Sequence, residues 1–229
     1  MFSIPTLSSS RSLLAKLKAD TSAVAMVEFA FSAPIVLSMG LLGAETANYV
    51  ITHMQISQLA VQVADNSSRV GDTEVLTARR VWEFDINETL VGGERLGESI
   101  GIFENGRVIV SSLQRNADGG QWIAWQRCRG AKNHISSYGV EGDGATGMSF
   151  PGMGDAANRI TASNGTAVMF IEVSYTYNSI TPFDFLDGNE INYTAAFNIR
   201  DNRDLTQIYQ TNPAGPFADC NVFSAARPS

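Results

Sequence analysis

Between Thr21 and Thr46 the chain reads TSAVAMVEFAFSAPIVLSMGLLGAET, and the 22 residues from Ala23 to Ala44 carry one charge, Glu28. An apolar helix of that length matches a hydrocarbon core of about 30 Å. A core helix of similar length in a globular domain would show a polar face, and this stretch has none. It divides the chain into a short tail, a membrane-spanning helix and a larger part beyond. A carboxylate within lipid costs a few kcal/mol on insertion scales, so Glu28 requires a use or a partner. On physics alone, snorkelling to the headgroups or an incidental helix contact would account for it equally well.

Charge divides at the same place. Arg11, Lys16 and Lys18 precede the span against Asp20, whereas 13 basic and 20 acidic residues follow Glu45. The positive end stays in the cytoplasm, which places the acidic bulk outside, beyond a single pass through the membrane. That acidity argues against a nucleic-acid partner, which needs a basic face. Two cysteines, Cys128 and Cys220, lie on the exported side, where an oxidising compartment favours a disulfide between them; two unrelated buried thiols are the alternative.

The organisation reads as a basic, Ser-rich leader over 1–23, a hydrophobic transmembrane and stalk helix over 24–70 with its membrane part at about 24–44, and an exported α+β domain over 71–229. Tyr49, Ile56, Val63 and Val70 recur at seven-residue spacing and extend the helix from Val24 to about Ser68, roughly 65 Å, until Gly71 stops it. A second helix is expected through EVLTARRVWEFDINETLV. SIGIFENGRVIVSSLQR contains two β-rich runs about Asn105-Gly106, a hairpin signal. GQWIAWQRC, TAVMFIEVSYTYNS and YTAAFNIRD supply further strands, for an antiparallel sheet of four or five packed on the helices. The Gly-rich SYGVEGDGATGMSFPGMGDAANR reads as an exposed excursion.

Enzymatic chemistry is nearly absent, and neither catalytic residues nor a metal or cofactor is expected. His53 lies on the polar side of the long helix and His134 in a loop, neither with a second histidine at metal spacing. FDFLDGNEIN clusters Asp184, Asp187, Asn189 and Glu190, but its spacing departs from an EF-hand and reads as a polar turn. Trp82, Trp122 and Trp125 suggest a glycan-stacking surface; Trp122 and Trp125, three apart in a strand, should face opposite sides, which favours core packing for at least one.

The residues around Glu28 carry a resemblance. The stretch A-VAMVEF at the head of a long apolar helix resembles the TadE-like minor pilins (pseudopilins) of the tight-adherence (Tad) pilus, over about residues 15–70. In that family a basic leader ends in a small residue, and a glutamate and an aromatic occupy the fifth and sixth mature positions. The resemblance implies cleavage by a prepilin peptidase between Ala23 and Val24, with Glu28 and Phe29 at those positions, and Pro34 is typical of such stalks. Ala23 stands where glycine is commonest. Cleavage would give Val24 a free α-amine, cationic near neutral pH. Glu28 of one subunit would pair with the Val24 amine of a neighbour, fixing register more than adding stability. Implied partners are other pilins, the assembly machinery and the inner membrane; the implied work is pilus initiation, assembly or adhesion, without catalysis.

Two rivals remain. One is a bitopic inner-membrane protein with an exported sensor or enzyme domain, in which Glu28 is incidental. The other is a secreted protein with an ordinary signal peptide, which Glu28 inside the apolar region and Leu42 in LLGA disfavour. A mature N-terminus at Val24, at Met1 or near residues 45–48 separates the three.

Overall fold

The computed structural model describes residues 21–72, 78–182 and 185–228. The basic tail expected to form the leader lies outside them up to residue 20. Two compact units divide at Ala47 and Asn48, and helix α1 (Thr21–Arg69) contributes to both. Its first part, within the first unit, is apolar and open: Met26, Phe29, Phe31 and Met39 are each exposed by more than two thirds. Pro34 lies inside this helix and removes one backbone donor, that to the carbonyl one turn earlier.

In the second unit the remainder of α1 turns Ile56, Leu59, Ala60, Val63 and Ala64 into the core, on the expected helical period. Gly71, at φ 131°, ends the helical course in a conformation that an L side chain rarely adopts. Arg203 caps the terminus by donating to the carbonyls of Ser67 (3.2 Å) and Val70 (2.6 Å). Burial, with Arg79 nearby, pushes its pKa down to about 10.

Helix α2 (Glu83–Gly97) starts later than the sequence suggested. Arg79 and Trp82 are extended, bridging to Arg203 and Tyr209, and the Asp85 carboxylate accepts the Trp82 N–H at 2.9 Å to cap the helix. Residues 74–77 of the expected helix lie outside the described residues. The expected hairpin at Asn105-Gly106 does not form. Residues Glu98–Ile100 make a 3-10 turn, left-handed Gly101 redirects the chain, and Ile102–Asn105 is a short helix, α3. Gly106 is extended (φ −142°), whereas a two-residue hairpin turn needs positive φ there.

Gly106 instead opens strand β1 (Gly106–Arg115), followed by β2 (Gln121–Arg129), β3 (Val168–Thr176) and β4 (Glu190–Asn198). They form one antiparallel sheet in the order β2-β1-β3-β4, so the protein is α+β: a long N-terminal apolar helix, then an antiparallel sheet with helices. One face, carrying Val108, Val110, Ile171, Val173 and Trp125, joins the core with α1. The other carries Leu113, Ile123, Val168 and Phe170 in a second cluster. The Gly-rich segment is not a free excursion. It brings Met153 into that cluster, fully buried, with Tyr138, Phe150 and Ile160 packed around it, so its apolar residues cover a sheet face that a single helical layer leaves open.

Candidate functional site

The predicted site residues fall into two groups, one in each unit. Ala23 lies in the first turn of α1, where only the backbone is described. Val24, Glu28 and Phe29 are exposed, Val24 and Glu28 being one helical turn apart. Among the described residues no cation stands within ion-pair distance of Glu28. The chain therefore presents a carboxylate at the head of an apolar surface, with no internal partner of opposite charge in that set. Here alone, among the described residues, is a helix long and apolar enough to cross a membrane. Farther along, in the second unit, Val50, Ile51, Met54 and Val61 are exposed, on the side of α1 opposite its core residues.

In the second unit Cys128 of β2 is joined to Cys220 (S–S 2.06 Å) across a sequence separation of 92. On the chain-entropy account a loop of that size contributes about 4–5 kcal/mol. Around the bridge, three buried arginines hold the domain together. Arg107 donates to the carbonyls of Gly130 (3.0 Å), Val222 (3.1 Å) and Cys220 (2.6 Å), and Phe223 covers its guanidinium at 4.1 Å. Burial lowers the Arg107 pKa, with Asp219 opposing the shift. Arg129 pairs with Glu94 (2.7 Å), which also takes Arg227 (2.9 Å), and donates to the Ala225 carbonyl. Arg127 forks onto Glu83 (2.8 Å through Nε) and reaches Glu141 (2.9 Å). Burial opposes the charge on Arg127, but Glu83 and Glu141 outweigh it and raise its pKa. Gly130 permits this packing, since a Cβ there would stand 2.2 Å from the Gly106 carbonyl oxygen.

The sequence singled out none of these arginines, and isolated basic residues in strands give no signal without the tertiary partners. Both histidines have partners within the domain. The His134 Nε2 sits 2.6 Å from Glu172, a buried carboxylate that also accepts from Ser136 and from the Ser137 N–H. His53 is half-buried against Tyr49 and Tyr193 rather than on a polar side, because β4 reaches that flank of α1. Trp122 and Trp125 share one face of the sheet, contrary to their spacing. Pairing shifts between Ser112 and Leu113, so a bulge at Ala124 puts both tryptophans opposite Gln114 and Ser112, whose side chains bond each other. Trp125 is core and Trp82 packs against Phe84 and Tyr209.

Asp184 lies outside the described residues; Asp187 accepts the Ser179 N–H and Glu190 pairs with Lys132. Among the described residues no cluster of His, Cys, Asp and Glu could hold a metal. A cavity of about 770 Å³ opens on the second sheet face between residues 134–141 and 217–223, with Arg107, His134, Glu141 and Phe217 on its walls. No family model matches this chain, and neither curated proteins nor solved structures give a significant match.

Proposed function

We propose that the protein is a minor pilin-like subunit of a Tad-type pilus, anchored in the inner membrane by α1. A prepilin peptidase removes the basic leader between Ala23 and Val24, and the disulfide-clamped α+β domain is exported. The observation that carries this reading is Glu28, a lone carboxylate without a described ion-pair partner, four residues from Val24 on an apolar exposed helix. Such a charge is retained in lipid when a partner arrives from elsewhere, and a neighbour's new α-amine at Val24 supplies one. The apolar stripe of Val50, Ile51, Met54 and Val61 supports helix packing between subunits beyond the membrane. Initiation, assembly or adhesion is the corresponding work, with other pilins as partners.

The N-terminal residue of the mature chain tests it. Val24 is the expected result; Met1 would overturn the reading. Glu28→Ala should leave membrane insertion intact or slightly improved and reduce pilus incorporation, as should Glu28→Gln, which keeps the shape without the charge. Wild-type piliation by either variant at equal membrane level would likewise count against it. A second reading, a bitopic membrane protein with an exported sensor domain, draws on the cavity beside Arg107 and predicts the Met1 terminus.

A further inference from the structure

The sheet treats its two edges differently. The outer edge of β2 is closed by the chain itself. Ile123 N–H donates to the Asp143 carbonyl, Gln126 N–H to the Glu141 carboxylate, Cys128 N–H to the Ala218 carbonyl and Gly130 N–H to the Ser224 carbonyl, each at 2.9 Å.

β4 has no such cover. Its register with β3 is uninterrupted, and it is bracketed by bonds from Tyr177 N–H to the Asn189 carbonyl and from Ile199 N–H to the Ala167 carbonyl. Hydrogen-bonded pairs alternate along an antiparallel ladder, so the odd-numbered residues of β4 bond to β3. The N–H and C=O groups of Glu190, Asn192, Thr194, Ala196 and Asn198 therefore point away from the sheet. Among the described residues nothing bonds to these outward groups. Long exposed edges are ordinarily blunted by lysine, proline or a bulge. β4, EINYTAAFN, has nine residues and none of these devices.

We propose that the outer edge of β4 is a docking site for an extended, uncharged segment of another protein, which adds to the sheet as a fifth strand. Charge at the edge selects that chemistry. Glu190, the one charged residue of β4, pairs with Lys132 (2.9 Å), whereas Arg200, beyond the other end of the strand, shares Asp65 (2.8 Å) with Arg69. A charged segment would find no free counter-ion along β4, whereas a neutral one gains main-chain hydrogen bonds at no electrostatic cost. Ile191, Tyr193, Ala195 and Phe197 line the core side of β4, and Asn192, Thr194 and Asn198, with Ala196 among them, the other. The incoming strand is accordingly apolar and polar at alternate positions, which matches both rows. This inference does not depend on cleavage at Val24 or on the role of Glu28.

The test uses the full chain in detergent micelles. Its probe is an acetylated, amidated peptide of the β4 sequence with glutamine at its first position, which can lie antiparallel with its threonine opposite Thr194. In the free protein the amides of Asn192, Thr194, Ala196 and Asn198 should exchange with deuterium faster than those of Ile191, Tyr193, Ala195 and Phe197. Saturating peptide should slow them by at least about tenfold. Thr194→Pro removes an outward N–H and no bond to β3, so it should weaken peptide binding at least about tenfold while leaving the thermal transition in place. Thr194→Lys gives the same readout should proline disturb the strand. Outward amides already protected in the free chain would overturn the proposal, whether its own residues or a second copy cover them. Peptide that protects none of them, or binds both variants as tightly as wild type, would overturn it equally.

Discussion

Arg127 keeps a full charge on a side chain that is only 9% exposed, because Glu83 faces it from the start of α2 and Glu141 from the loop beside β2. The two carboxylates are unequal. Glu83 is 5% exposed and Glu141 about half exposed, so the inner partner offsets most of the cost of desolvating the guanidinium. Glu83→Ala should therefore destabilise the domain by about 2–4 kcal/mol, and Glu141→Ala by about 1 kcal/mol or less. Adding Arg127→Met to Glu83→Ala should recover much of the loss, since the stranded charge is then gone. Thermal melts of wild type, the three single variants (Arg127→Met among them) and the double check this; a double variant as unstable as the sum of its parts would refute the coupling.

Among the elements, the carboxyl-terminal segment is the one tied from several directions: by the disulfide, by Arg107 onto two of its carbonyls, and by Glu94 through Arg129 and Arg227. The bond from Arg129 and the cations beside it hold the Glu94 carboxyl below its ordinary range. A depressed acid contributes stability above its unfolded value of about 4.3, lost as pH falls through the folded value. Below about pH 4 the segment around Arg227 should loosen, read as faster amide exchange over residues 224–227, and Glu94→Gln should show that looseness already at pH 7. Sequence periodicity made α1 and β3 legible, because a helical seam and a buried run of β-formers are local patterns. The turn at Ile102–Asn105 was hidden, since Asn-Gly is a hairpin signal whose φ values tertiary packing overrode. The bulge at Ala124 was hidden too, and with it the facing of both tryptophans. At the amino-terminal end of α1, Glu28 stands out in the sequence because a charge in an apolar stretch is conspicuous. The arginine clamps were not, because each joins residues far apart in sequence.

For the molecule as a whole, the contrast between the edges of the sheet bears on how many neighbours the domain can engage. Residues 217–224 close β2 at Cys128 and Gly130 while β4 stays open. A chain ending at residue 213, with Cys128→Ser to remove the unpaired thiol, should expose part of β2 and self-associate into oligomers that the intact chain does not form. Light scattering after gel filtration checks this, and a monodisperse monomer would count against it. In the vocabulary of polymer chemistry, the intact domain is monofunctional. A unit with one reactive end accepts a single addition and terminates growth, whereas a unit with two propagates without limit. Residues 217–224, together with Glu141 and Asp143, close one end and so separate a defined junction from runaway sheet extension.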